Sequence, residues 1–235
     1  MRVLPILFNT DMVRAILEGR KSCTRRLVKA RSKDACGFYV TKNSDGSFAG
    51  IYEYDENKSM FDNQLMPPYQ PGDILYVRET WCMYGKIDDF DHIIEGTDKY
   101  YYLADGANQT PYNCFLVHQN GYDEYKDTPV WHPSIHMPKE AARIWLQVTD
   151  VWVERLQDIT PKDAENEGVG NLFYEDIGYS GKDYGTEVDS EYGIAKEQFA
   201  WLWDSTIKKA DLDCYGWNAN PWVWVIGFER CEKPE

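Results

Sequence analysis

Between Arg143 and Glu154 the apolar residues alternate, and then the alternation slips. Ile144, Leu146 and Val148 stand against Arg143, Trp145 and Gln147; past Thr149-Asp150 the apolar positions become Val151 and Val153. A period of two marks a strand with one buried face. A slip of one residue would carry the apolar set to the wrong face unless the strand bulges or bends at that point. A strand bent at its middle fits a small, strongly curved sheet, of which a closed β-barrel is the limiting form.

Further strands are expected at Val3–Phe8, at Ile74–Thr80 after the Pro71-Gly72-Asp73 turn, and at the chain's far end, where Trp222, Trp224, Ile226 and Phe228 alternate. Helices are few. Asn9 or Thr10 can cap a helix carrying the pairs Met12/Ile16 and Val13/Leu17, with Gly19 at its stop. Thr160-Pro161-Lys162-Asp163 opens a second, short one that Gly168 ends. Ala195, Phe199, Leu202, Trp203 and Ile207 mark a third. The expected fold is α+β, a small β-barrel with flanking helices, and the whole chain reads as one domain. Three polar or acidic stretches, 34–70, 83–130 and 169–193, read as irregular insertions; residues 83–130 hold nine acids against three lysines.

The chain carries 39 acidic and 25 basic residues, a net charge of −14. That balance argues against wrapping duplex DNA over a broad surface. Yet from Arg14 to Lys33 there are eight Lys or Arg residues and one acid, Glu18. A concentrated cationic segment in an anionic chain points to a local anion site, with a solvated charged face as the alternative. The six cysteines show no C-x-x-C spacing and read as free thiols of a cytoplasmic protein. Residues 1–8 do not read as a signal peptide, and no apolar run is long enough to span a membrane.

Within the basic segment, Lys21 and Thr24 are the reactive types. A Thr hydroxyl is a weak nucleophile without a base in hydrogen-bond reach, and a Lys serves as base only where burial or neighbouring cations make it yield its proton. Arg20, Arg25 and Arg26 are the candidate neighbours. Residues three apart on an extended strand face opposite ways, so one site for both needs a turn between them. Otherwise Lys21 and the arginines hold a phosphate while Thr24 simply pairs in a sheet. Glu167 sits just before the Gly168 stop, where the helix dipole disfavours a carboxylate, and this marks it for acid–base work against the reading of an ordinary exposed Glu. His132 and His136 have a helical metal-binding spacing, but Pro133 and Pro138 oppose a helix and no third ligand is evident; no metal and no cofactor is expected. Trp81 and Trp131 can stack on a base or fill core.

The run Gly19-Arg20-Lys21-x-x-Thr24-x-Arg26 resembles the signature of the ASCH domain, a relative of the PUA-like RNA-binding barrels. Pro71–Trp81, Arg143–Leu156 followed by Asp163–Gly168, and Trp222–Arg230 resemble later blocks of that family, and Trp131–Lys139 resembles a segment of its longer phage and prophage members. About half the chain is covered. Small bacterial members are N4-acetylcytidine amidohydrolases with a Lys, a Thr and a Glu in the active site; by motif these fall on Lys21, Thr24 and Glu167. The resemblance implies a cleft holding those three, with Arg20, Arg25, Arg26, Arg78 and Trp81 as contacts to the base or phosphate. It implies a nucleoside, nucleotide or single-stranded RNA as partner, and no membrane. Three readings follow: hydrolysis of an N4-acylated cytosine; a module that binds RNA or a nucleotide without chemistry, or cleaves RNA; and a phage-encoded regulator that docks a host protein through the acidic insertions.

Overall fold

The computed structural model describes residues 1–46, 48–86, 94, 99–106, 114–118, 121–125, 130–169 and 191–234. It is a mixed α+β protein, mostly strands in several sheets with few helices. By its internal contacts the chain divides into two compact units. The first takes Met1–Gly19, Ile74–Gln147 and Arg230–Glu235, and the second Arg20–Asp73 and Val148–Glu229. Each is therefore discontinuous in sequence. No closed barrel is found among the described residues.

In the first unit, β1 (Val3–Leu7) lies parallel to β6 (Ile74–Arg78), in register from Val3 against Ile74 to Leu7 against Arg78. The first residues of β11 (Trp145–Arg155) run antiparallel to β6 on its other side. Helix α1 (Thr10–Leu17) is capped by Asn9, whose side chain accepts from the Met12 N–H, and buries Val13, Ala15 and Ile16. The chain leaves it through Gly19 at φ 75°, a left-handed conformation that favours glycine. A second, antiparallel sheet contains β7 (Trp81–Lys86), β8 (Lys99–Tyr102), β9 (Cys114–His118) and β10 (Gly121–Tyr125) in the order β10-β9-β7-β8. The expectation of an irregular stretch over 83–130 is thus corrected where residues are described.

In the second unit, β2 (Cys23–Leu27) pairs antiparallel with β12 (Trp222–Cys231), which lies next to β11. Strand β12 departs from the expected alternation: Val223, Trp224, Val225 and Ile226 are all buried, because a central strand covered on both faces needs no polar side. Along β11 the slip is visible in burial. Leu146 and Val148 are buried, Thr149 and Asp150 are both exposed, and Val151 and Val153 are the half-buried positions beyond.

The 34–70 stretch, expected as an irregular insertion, is a three-stranded meander of β3 (Gly37–Lys42), β4 (Phe48–Tyr54) and β5 (Met60–Gln64). The turn residues stood out in the sequence, but aromatic and β-branched residues between them, such as Phe38, Tyr39, Val40 and Thr41, are strand formers. Helices α2 (Pro161–Asn166), α3 (Glu191–Thr206) and α4 (Leu212–Tyr215) complete the unit. On α3 the expected Ala195, Phe199, Leu202 and Trp203 are buried, with Glu197, Gln198 and Ala200 buried beside them, whereas the expected Ile207 lies past the end of the helix and is half-buried. Most of the third expected insertion, residues 170–190, lies outside the described residues. No helix among the described residues is long and apolar enough to cross a membrane.

Candidate functional site

The site is built in the second unit from β2 and the end of α2. Thr160 caps α2: its hydroxyl accepts from the Asp163 N–H at 3.1 Å and donates to the Asp163 carboxylate at 2.6 Å. Pro161 suits the first turn, whose N–H groups lack helical partners. Glu167 is the C-cap, and Gly168 turns the chain away at φ 94°. This short helix delivers Glu167 to the start of β2. There the backbones of Lys21 and Glu167 form an antiparallel bridge, and the Ser22 N–H donates to the Asn166 carbonyl at 2.9 Å.

The Lys21 ammonium donates to Glu167 Oε2 at 2.6 Å and to the Glu167 carbonyl at 2.9 Å. Both side chains are essentially out of solvent, 0 % exposed for Lys21 and 2 % for Glu167. The other carboxylate oxygen, Glu167 Oε1, accepts from Arg25 Nη1 at 3.1 Å. Arg25 also donates from Nε and Nη2 to Glu154 Oε1, at 3.0 and 2.7 Å, and its guanidinium lies 5.6 Å from the centre of the Phe199 ring. Burial opposes the charge on Arg25, but Glu167 and Glu154 outweigh it, and the net effect holds the guanidinium above its ordinary value. One carboxylate is thus shared by two buried cations, an arrangement that is favourable only because its lone pairs are satisfied. Arg20 donates to the Gly168 carbonyl at 2.6 Å and ties the turn after α2.

Cys23 is set among these charges. Burial, reinforced by Glu167, pushes its thiol up to about 12, against the opposing pull of Lys21 and Arg25. It is the inert kind of cysteine rather than a thiolate nucleophile.

Thr24 is 1 % exposed and pairs with Ile226. The β2–β12 register runs from Cys23 against Gly227 to Leu27 against Val223. Alternation therefore sets Thr24 and Arg26 on one face and Cys23 and Arg25 on the other. Arg26 lies beside Trp224 in this register. Burial pushes its guanidinium down, with Glu167 and Tyr69 opposing.

Beyond Arg25 and Arg26 the same segment lines a pocket of about 460 Å³. Its lining includes the basic residues Arg25, Arg26, Lys29 and Arg31 and the aromatic residues Tyr69, Trp203 and Trp224, and no Asp or Glu contributes. Two devices shape it. Trp203 is fixed by its indole N–H, which donates to the Tyr215 carbonyl at 2.8 Å. Leu65 opens the loop that carries Tyr69, and its N–H donates to the Ile51 carbonyl at 2.8 Å. Lys21, Thr24 and Glu167 are not among the lining residues; Arg25 is the residue common to the pocket and the ion-pair cluster.

Arg78 and Trp81 belong to the first unit. Arg78 donates to the backbone carbonyls of Met137, at 2.8 Å, and Ile135. Its neighbour Glu79 is buried and accepts from Arg143 at 2.9 and 3.0 Å. Trp81 is core, packed on His132 and Tyr100, and its buried indole N–H has no hydrogen-bond partner among the described residues. His132 pairs with Trp81 through the backbone, and among the described residues no three His, Cys, Asp or Glu side chains group as metal ligands.

Sequence reading overlooked Glu154, Tyr69, Trp203 and Trp224. Glu154 had a weak signal, a carboxylate directly after the apolar positions Val151 and Val153. The two tryptophans read only as core, and nothing local foretold that their edges reach a pocket. Comparison of the chain with models of protein families, with curated proteins and with solved structures finds no match.

Proposed function

We propose that this chain is an ASCH-type hydrolase built on a PUA-like sheet, and that it removes an acyl group from the exocyclic amine of a cytosine nucleoside or nucleotide. The observation that carries the reading is the buried Lys21–Glu167 contact of 2.6 Å between residues 146 apart in sequence. In this mechanism the Lys21 ammonium passes a proton to Glu167 across that contact. The amine so formed takes the Thr24 hydroxyl proton as the oxygen attacks the acyl carbon. Glu167 then gives its proton to the departing cytosine amine as the C–N bond breaks. Water afterwards cleaves the acyl-threonine ester and restores the starting state.

A second reading, nucleotide binding without chemistry, has its own support. Arg25 occupies the second oxygen of Glu167, and Thr24 alternates with Arg25 along β2. The two readings part on turnover of a panel of N4-acylated cytidines and cytidine nucleotides, with RNA cleavage followed in parallel. Release of carboxylic acid and cytosine product supports the hydrolase. Saturable binding with no product overturns it in favour of the binding module.

A further inference from the structure

An acidic protein has little reason to keep a pocket free of carboxylates. Here 39 acids against 25 bases surround one whose lining holds four cations and no acid. The four are not equivalent. Arg25 is neutralised by Glu154 and Glu167, and Arg26 is half-buried in the field of Glu167. Lys29 and Arg31 are exposed on the chain that continues β2, and among the described residues neither side chain has an ion-pair partner. The same lining includes three aromatic residues, Tyr69, Trp203 and Trp224. The volume, about 460 Å³, falls in the range of small-ligand sites.

From this juxtaposition we infer that the pocket takes a nucleoside monophosphate, its base against the aromatic residues and its phosphate on Lys29 and Arg31. Aromatic faces accept any base, whereas charge-assisted hydrogen bonds from Lys and Arg select a phosphate. The inference rests on the proposed function for cytosine as the base, and the pocket meets the Lys21–Glu167 cluster only through Arg25. It adds that the 5′-phosphate is a recognition element, so the free nucleoside is the poorer ligand. The net charge of −14 disfavours a long polyanion.

The test is binding of cytidine 5′-monophosphate, cytidine, inorganic phosphate and a short 5′-phosphorylated RNA, read by calorimetry and by quenching of tryptophan fluorescence. The monophosphate is expected to bind about tenfold more tightly than cytidine, a gain within reach of two charge-assisted contacts. The double variant Lys29→Glu/Arg31→Glu should erase that advantage; its thermal midpoint checks the fold, which two exposed side chains should leave intact. Equal affinity for nucleotide and nucleoside overturns the inference, as does an advantage that survives the double reversal. Inorganic phosphate binding as tightly as the nucleotide overturns the role of the aromatic residues. Binding of the RNA alone overturns the monomer. Acylated cytidine turned over with no gain from phosphate defeats this inference and spares the hydrolase. A phosphate advantage with no turnover of any acylated cytosine spares the inference and defeats the hydrolase.

Discussion

Lys21 and Arg25 share one carboxylate, but they do different work, and substitution separates them. Lysine can give up its proton in a suitable setting, whereas arginine stays charged at any workable pH. In the proposed hydrolase, Lys21→Ala and Lys21→Arg should each lower turnover of an N4-acylated cytidine by at least about 100-fold. Thr24→Ser should keep measurable activity and Thr24→Ala little, since only the former retains a hydroxyl. Full turnover by Lys21→Arg would assign Lys21 to anion binding instead. Arg25 carries the structural load. Its removal strands Glu154 and Glu167 with a cation short in a dry place, so Arg25→Ala should cost about 3–5 kcal/mol. Urea unfolding reads this directly, and a loss below about 1 kcal/mol would show the cluster to be better hydrated than its burial implies. The residue types of this cluster were plain in the sequence because the basic run is local. Their partners were not, because Glu154 and Glu167 reach Arg25 only through tertiary structure.

Helix α2 has six residues, too few to be stable by itself, yet it places Glu167. Its fixed start is the Thr160 cap. Thr160→Ala should destabilise the protein by about 1 kcal/mol, and Thr160→Ser should restore most of that. Thermal midpoints of the two variants decide it; equal midpoints would mean that packing alone holds the helix. Elements with chemical punctuation were legible from sequence: the Asn9 and Thr160 caps and the left-handed glycines at 19 and 168 lie where local chemistry put them. The β3–β5 meander was obscured because its short strands lie between turn-rich segments, so its turns outweighed its strands. Strand β12 was legible from its alternating large residues, but Val223 and Val225 between them are buried too, as in a strand covered on both faces. In β11 the sequence slip coincides with two successive exposed residues, Thr149 and Asp150, but closure into a barrel depends on how strands far apart in sequence pair, and no single strand encodes that.

At the scale of the molecule, three buried acidic groups titrate in the same direction. Burial raises the Cys23 and Cys82 thiols from 9.0 to about 12, and the Tyr102 hydroxyl from 10.0 to about 12. Below about pH 9 all three are protonated whether the chain is folded or not, and the stability they carry is complete. From there to about pH 12 the unfolded chain releases protons that the folded chain retains, so stability must fall as pH rises. Urea midpoints from about pH 7 to about pH 11 should be flat at first and then decline, and the double variant Cys23→Ala/Cys82→Ala should decline less steeply. An unchanged midpoint across the alkaline range would mean that these groups are reached by water in the native state.

The interleaving of the two units fixes when this protein becomes competent during its own synthesis. Lys21 emerges from the ribosome 146 residues ahead of Glu167, and Cys23 must wait for Gly227 before β2 has its neighbour. The cluster is held by a pairing between segments far apart in sequence, β2 and β12, so it cannot form until both exist. A nascent chain halted before Trp222 should bury neither Lys21 nor Arg25. The buried cluster thus forms only after β12 has been made.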